Sequence, residues 1–300
     1  MLSSSALTYT IVDAFTSTPF KGNPAAVLIH PRGSLVPPDN TLKSIARELN
    51  APISVFITHM DTSEDLIPTF GIRWILPTGI EAVLCGHGTL AAAQVMFADP
   101  SVVPAHHDTI RLSSTSGALL ARRCGERVEM EFPAGETAPI ADATLEERIK
   151  DVVWRAFGRT DDLYFKFVGR GKGLFEPLIL VEIDGEKVEL EDAAVDTQVF
   201  AELHPHRMIF ITTSSPPSSR AQSHFRSRGF RIGIDLTEDQ ACGSAHCAMA
   251  PYWARKLPGF LPGTELRALQ VGARTAEIGI TFHEERGRAN FEKQLDAIAY

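Results

Sequence analysis

Two short segments of this 300-residue chain carry side chains whose types and spacing could move a proton. The first is Cys85-Gly86-His87-Gly88, with Glu81 before it and Leu90-Ala91-Ala92-Ala93 after it. The second is Cys242-Gly243-Ser244-Ala245-His246, with Glu238-Asp239 before it and Cys247-Ala248-Met249-Ala250 after it. Each runs from acidic residues through Cys-Gly into an apolar, Ala-rich stretch. A helix that is apolar nearly all round is buried, so each segment reads as the start of a central helix. The first N–H groups of a helix have no intrahelical partner and carry the positive end of its dipole. An anion such as a carboxylate is welcome there. Gly86 and Gly243 let the backbone approach a ligand closely. A thiol at that place is expected to have its thiolate stabilised and its pKa drawn toward neutrality.

Two such loops facing one another would offer an anion cradle with a thiol on each side. That suits removal of a proton α to a carbonyl from one face and its return on the other, which needs one base and one acid. The helix starts would stabilise the enolate-like charge. The plainer reading of each cysteine is a small buried residue. Two Cys-Gly pairs in matching contexts argue for the chemical one.

The elements that must position these loops follow from patterning. Strands are expected at Tyr9–Phe15, Ala25–Ile29, Val55–Ile57, Gly71–Ile75, across 110–133, and near Phe165–Val168, Leu178–Val181, Met208–Ile211 and Ile278–Phe282. Helices are expected at Thr41–Leu49, capped by Asp39 or Asn40, and at Leu90–Phe97, Leu145–Phe157 and Cys247–Leu257. Thr212–Ser219 reads as a loop, and Gly169-Arg170-Gly171-Lys172-Gly173 as a flexible basic loop without the setting of a phosphate loop. Cys242 follows Cys85 by 157 residues, a spacing that means duplication of a domain. The expected division is residues 1–132 and 133–300, with the last strands able to return to the first domain.

Composition narrows the function classes. Lys and Arg total 29 against 37 Asp and Glu, a net charge of −8, and no basic stripe occurs. Nucleic acid and anionic membrane surfaces are therefore not expected as partners. No run approaches the ~18 apolar residues of a membrane helix. Met1–Leu7 lacks the basic and apolar regions of a secretory signal, so the cytosol is the expected location. Four cysteines make no disulfide scaffold, and their spacings with His make no zinc pattern. His106-His107-Asp108 reads as a solvated turn and not as a metal site.

The two Cys-Gly loops belong to a wider set of motifs. These are Val12–Thr16, Phe20–Val27, Ile45–Asn50, Arg73-Trp74 with Pro77 and Glu81, Leu84–Leu90, Ser227-Arg228, Glu238-Asp239, Gly243–His246 and Pro251–Trp253. Together they resemble the phenazine-biosynthesis isomerase-like family, which shares its fold with diaminopimelate epimerase and proline racemase. The resemblance implies an α/β fold of two similar domains, each a mixed β-barrel around a central helix, with the site in the interdomain cleft. It further implies isomerisation without a cofactor, a small substrate bearing a carboxylate or carbonyl, and a homodimer. His87, Asp239 and Ser244 match the family's His, Asp and loop serine. The position of the family's acid/base Glu holds Ile53, which cannot transfer a proton. Cys242 stands where many members have Thr, and the epimerases and racemases have Cys at both loops.

The site residues expected on these grounds are Cys85 and Cys242 as opposed acid and base, with His87 and Asp239 assisting. Asn23, Gly86, Gly88, Gly243, Ser244 and Ala245 are expected to bind substrate. The alternatives are a tautomerase or cyclase using Asp239 and His87 beside an apolar Ile53 wall, and a binding protein built on an inactive enzyme. His246 and Cys247 are expected to be structural, Cys124 incidental, and Arg73 a solvated strand residue.

Overall fold

The computed structural model describes residues 7–60, 67–125, 127–159, 161–216, 222–233, 236–261, 263–283 and 288–294. The chain forms two compact units, Met1–Glu131 with Glu292–Tyr300, and Phe132–Phe291.

In the first unit β1 (Thr10–Ala14) pairs antiparallel with β2 (Asn23–Ile29), and β2 runs parallel to β3 (Ser54–His59) after the crossover helix α1 (Asp39–Leu49). β3 pairs antiparallel with β4 (Thr69–Ile75), which meets the short β5 (Glu81–Ala82) antiparallel. Helix α2 (Gly86–Ala98) then leads to β6 (Thr109–Ser114), parallel to β4, and β7 (Gly117–Cys124) and β8 (Arg127–Pro133) complete an antiparallel meander. The sheet curls about α2, which lies against β1, β2, β3 and β7. Leu90, Ala91, Ala92, Ala93 and Met96 are all buried, which a helix without a polar face requires. Helix α1 lies outside and buries only Leu42 and Ala46, against Ala26, Leu28, Phe56 and Ile75.

After an added strand and helix, the second unit repeats the strand order of the first. β9 (Thr137–Pro139) and helix α3 (Ala143–Ala156) precede β10 (Phe165–Gly171), which pairs antiparallel with β9 and β11 (Leu178–Ile183). β11 is parallel to β12 (Met208–Ser214), and β12 antiparallel to β13 (Phe225–Arg231). β13 meets β14 (Glu238–Asp239) antiparallel and β15 (Glu265–Gln270) parallel, and β15 pairs with β16 (Ala276–His283). Helix α4 (Gly243–Lys256) stands between β14 and β15 in sequence, as α2 stands between β5 and β6. β17 (Arg288–Gln294) ends the described chain. Ile149, Val152 and Val153 of α3 pack on Val181, Ile183, Ile209 and Ile211.

Several local expectations change. Asp39 does not cap α1; the helix starts at Asp39 after Pro38, and the carboxylate binds Lys43 and Arg73 instead. Helices α2 and α4 begin at Gly86 and Gly243, a turn earlier than their apolar runs suggest, because the small first-turn residues are helical too. Thr212–Ser214 belong to β12, paired with Phe225–Ser227, while 217–219 lie outside the described residues. Gly169–Gly171 are not loop; all three pair with β9, and Gly169 and Arg170 also with β11. Gly22 has φ +65°, and a Cβ there would lie 2.0 Å from the Ala14 carbonyl oxygen. Only glycine makes that turn, which delivers Asn23, buried, to the start of β2. Among the described residues no helix is long and apolar enough to cross a membrane.

Candidate active site

In the first unit Cys85 is the N-cap of α2, with extended backbone and no side-chain cap hydrogen bond. Cys85 is half-buried, and its sulfur lies 3.4 Å from Nδ1 of His87, which is buried in the first turn. The Cys85 carbonyl accepts the Thr89 backbone N–H at 3.0 Å and the Thr89 hydroxyl at 2.6 Å. The Trp74 indole N–H donates to that hydroxyl at 3.0 Å. Gly88 is tightly enclosed: a Cβ there would lie 3.0 Å from Val55 Cγ2 and 3.2 Å from both Cys85 Sγ and Ile53 Cγ2. Ile53, which is buried, thus packs against the thiol's own turn. Arg73 is not a solvated strand arginine. Its guanidinium grips Glu81 with two bonds of 2.8 and 2.6 Å and Asp39 with a third, tying β4 to β5 just before the Cys85 loop.

In the second unit Cys242 is the N-cap of α4, again extended and without a side-chain cap bond. Its sulfur lies 3.3 Å from Ser244 Oγ. Here the carbonyl is held by His246, through the backbone N–H at 3.2 Å and ring Nδ1 at 2.8 Å. His246 Nε2 lies 3.3 Å from Ser227 Oγ, and the ring stacks on Phe225. Gln270 on β15 accepts the Cys242 N–H at 2.8 Å and donates to the Asp239 carbonyl, so one amide fixes both ends of the loop. Asp239 is buried, bonded to the Ala241 N–H at 3.3 Å and 3.8 Å from Arg231. Arg228 binds Glu238 with bonds of 2.6 and 2.9 Å, as Arg73 binds Glu81.

The electrostatics correct one expectation. The Cys242 thiol is not drawn toward neutrality; burial, and then the Asp239 carboxylate, push it up to about 12. The Ser244 hydroxyl and the Ala245 N–H act the other way and are outweighed. His246 is pushed down to about 4 by burial, which keeps its ring neutral. Cys247 is core, its thiol also raised by burial. Cys124 ends β7 beside Arg122 and Glu129, with its thiol likewise raised.

The structure therefore gathers Cys85, Gly86, His87 and Gly88 at one helix start, and Asp239, Cys242, Gly243, Ser244 and Ala245 at the other. Asn23 lies in the first unit at the head of β2. Sequence reasoning placed Thr89, Trp74 and Ser227 in motifs without giving them a role, and missed Gln270. For Gln270 no local signal was available, since β15 also carries Glu265 and Arg267. For Thr89 the one available signal was its match to His246 when the two Cys-Gly loops are aligned. Among the described residues no three His, Cys, Asp or Glu side chains are grouped to hold a metal ion.

Comparison with known proteins bears on the same geometry. The model of the phenazine biosynthesis-like protein family matches residues 12–292. An uncharacterized isomerase of Pseudomonas aeruginosa is 34% identical over 287 residues, covering 93% of each chain. The crystal structure of a phenazine biosynthesis protein of the PhzF family from Enterococcus faecalis superposes with a TM-score of 0.76 at 27% identity, over 98% of this chain and 96% of that one. A hydroxyproline epimerase from Agrobacterium vitis, solved with trans-4-hydroxy-L-proline, shares the fold, with a TM-score of 0.52 at 12% identity over 99% of this chain and 91% of that one.

Proposed function

Because the chain belongs to the phenazine biosynthesis-like family, whose relatives include isomerases, we propose that it is a cofactor-independent isomerase or epimerase acting α to a carbonyl of a small polar metabolite. The observation that carries this reading is the recurrence of an N-cap thiol with a proton-handling neighbour. Cys85 lies 3.4 Å from His87 Nδ1, and Cys242 lies 3.3 Å from Ser244 Oγ.

The two thiols divide the work. Cys85, half-exposed beside an imidazole that can take its proton, is the base. Cys242, with a pKa pushed up to about 12, is protonated at rest and is the acid. The Cys85 thiolate takes the α-proton, and the C–H electron pair moves onto the carbonyl oxygen. Backbone N–H groups of Gly86, Gly88, Gly243, Ser244 and Ala245 hold that oxyanion. The Cys242 thiol returns a proton to the α-carbon, so the thiols end with their protonation states exchanged. Solvent exchange or the reverse reaction resets them. His87 and Asp239 assist, Asn23 binds a polar group of the substrate, and the protein works as a homodimer.

The test is loss of the α-proton NMR signal in heavy water, using a panel of small 2-amino and 2-hydroxy carboxylates. Exchange should occur with at least one member and vanish in Cys85→Ser and in Cys242→Ser. Exchange undiminished in both variants rejects the two-thiol mechanism. A second reading is favoured by one observation, the burial of Asp239 in the loop of a thiol that ionises poorly. There Asp239 and His87 carry a tautomerisation or cyclisation; Asp239→Asn then abolishes turnover while both Cys variants survive.

A further inference from the structure

We infer that Thr89 and His246 are positioning residues that hold the two N-cap cysteines by their carbonyl groups, each in turn oriented by a donor on the neighbouring strand, Trp74 on β4 and Ser227 on β13. The inference rests on the reading of Cys85 and Cys242 as the reacting thiols, which is what gives their placement its consequence.

An N-cap residue ordinarily fixes itself, because a Ser, Thr, Asp or Asn side chain bonds back to the first turn. Neither cysteine makes such a bond. The restraint comes from the other side. In each unit the residue four places on bonds the cysteine carbonyl twice, once by backbone and once by side chain.

Hydrogen-bond chemistry fixes the polarity of both chains. A carbonyl only accepts. The Thr89 hydroxyl therefore spends its single proton on Cys85 O and accepts the Trp74 indole N–H with a lone pair. His246 must likewise carry its proton on Nδ1, facing Cys242 O, and a neutral ring then leaves Nε2 to accept the Ser227 hydroxyl. Strand donor, bridging group and cysteine carbonyl follow in the same order in both units, built from different residues. Linked donors of this kind strengthen one another in a dry interior, and His246 is fully buried against Phe210 and Phe225. Core packing alone has no need of one polarity twice.

Two measurements test this. Histidine-selective 15N labelling should show one imidazole with Nδ1 protonated and Nε2 bare, unchanged from about pH 5.5 to 8. That signal should vanish in His246→Asn, and its Nε2 resonance should shift in Ser227→Ala. A ring protonated on Nε2, or one that titrates in that range, overturns the inference even if every variant misfolds. For Thr89, iodoacetamide labelling is followed at Cys85, with Cys124 as the internal standard. Thr89→Val should change the Cys85 rate by about fivefold, the worth of one hydrogen bond, while Thr89→Ser stays within about twofold. A Thr89→Val protein that melts lower but labels like wild type overturns the positioning role. If the panel shows no α-proton exchange while both measurements hold, the brace stands and the proposed reaction falls.

Discussion

Cys85 and Cys242 occupy the same place in two copies of one strand order, each the N-cap of the helix its sheet surrounds. Cys85 keeps contact with solvent and has an imidazole at 3.4 Å, whereas Cys242 is buried with a hydroxyl at 3.3 Å and Asp239 in the same loop. A helix start favours an anion by roughly 0.3–2 kcal/mol. Moving a thiol from 9.0 to about 12 opposes it by about 4 kcal/mol. Desolvation therefore wins at Cys242, and a shared backbone motif yields a thiol that holds its proton. Such a difference suits a pair that must start in opposite protonation states.

The largest expected effect tests that contrast directly. At pH 7 a thiol of pKa about 12 is ionised about a thousandfold less than one at 9.0. Cys242 should therefore label with iodoacetamide about a thousandfold more slowly than an ordinary thiol, and far more slowly than Cys85, when the modified peptides are quantified by mass spectrometry. Equal rates at the two cysteines would remove the division into acid and base. Asp239→Asn should speed Cys242 alone, because a like charge is lost.

The arginine clamps differ in the same sense. Arg228 is 9% exposed and also donates to the carbonyls of Leu190 and Ala193, whereas Arg73 is 33% exposed. Removing one partner of a buried ion pair costs about 3–5 kcal/mol, and of a half-exposed one about 1 kcal/mol. Urea unfolding should rank Arg228→Met well below Arg73→Met. Similar losses would mean that the two clamps do not differ in strength.

A smaller effect separates the two bridging residues by pH, since Thr89 does not titrate and His246 does. His246 is held near 4 when folded, against 6.5 when exposed. The unfolded chain binds the extra proton between those values, so this group's contribution to stability is complete above about pH 6.5 and declines as pH falls toward 4. The slope is at most about 1.4 kcal/mol per pH unit. Melting curves of wild type and His246→Asn should converge as pH drops through that window. Parallel curves would show that His246 is not held neutral.

The helix starts were legible because Cys-Gly followed by an apolar run recurs, and the motifs from Val12 to Trp253 carry the family resemblance along the chain. Their exact first residues were not, because Gly86–Gly88 and Gly243–Ser244 have no apolar period to count. Nor was the state of the Cys242 thiol. The dipole argument needs only local sequence, whereas desolvation depends on β13–β15 folding around the loop. Gln270 lies 28 residues from the cysteine whose N–H it accepts, and Arg228 lies 10 from Glu238. Such partners meet only through strand pairing, which no spacing rule encodes. The stretch at Gly169–Gly171 misled for the converse reason: glycines suggest a loop, yet β10 needs them. A Cβ at Gly169 would lie 2.3 Å from the Phe167 ring, and one at Gly171 would lie 2.1 Å from the Phe175 carbonyl oxygen.

The smallest expected effect exchanges one detail between the two helix starts. Gly88 and Ala245 hold equivalent places, three residues after their cysteines. Ala is the better helix former by about 1 kcal/mol, so glycine at 88 answers to space. A methyl group there meets Val55 Cγ2 at 3.0 Å, with Ile53 Cγ2 and Cys85 Sγ at 3.2 Å. Val55 and Ile53 are buried and cannot retreat, while the thiol of half-buried Cys85 can. Gly88→Ala should therefore leave stability within about 1 kcal/mol of wild type, propensity gained offsetting crowding, yet displace the Cys85 sulfur and change its labelling rate. Ala245→Gly should do the reverse, costing about 1 kcal/mol while leaving the Cys242 thiol as slow as before. If Gly88→Ala leaves the Cys85 rate untouched, Ile53 does not press on that thiol, and this apolar residue shapes the fold alone.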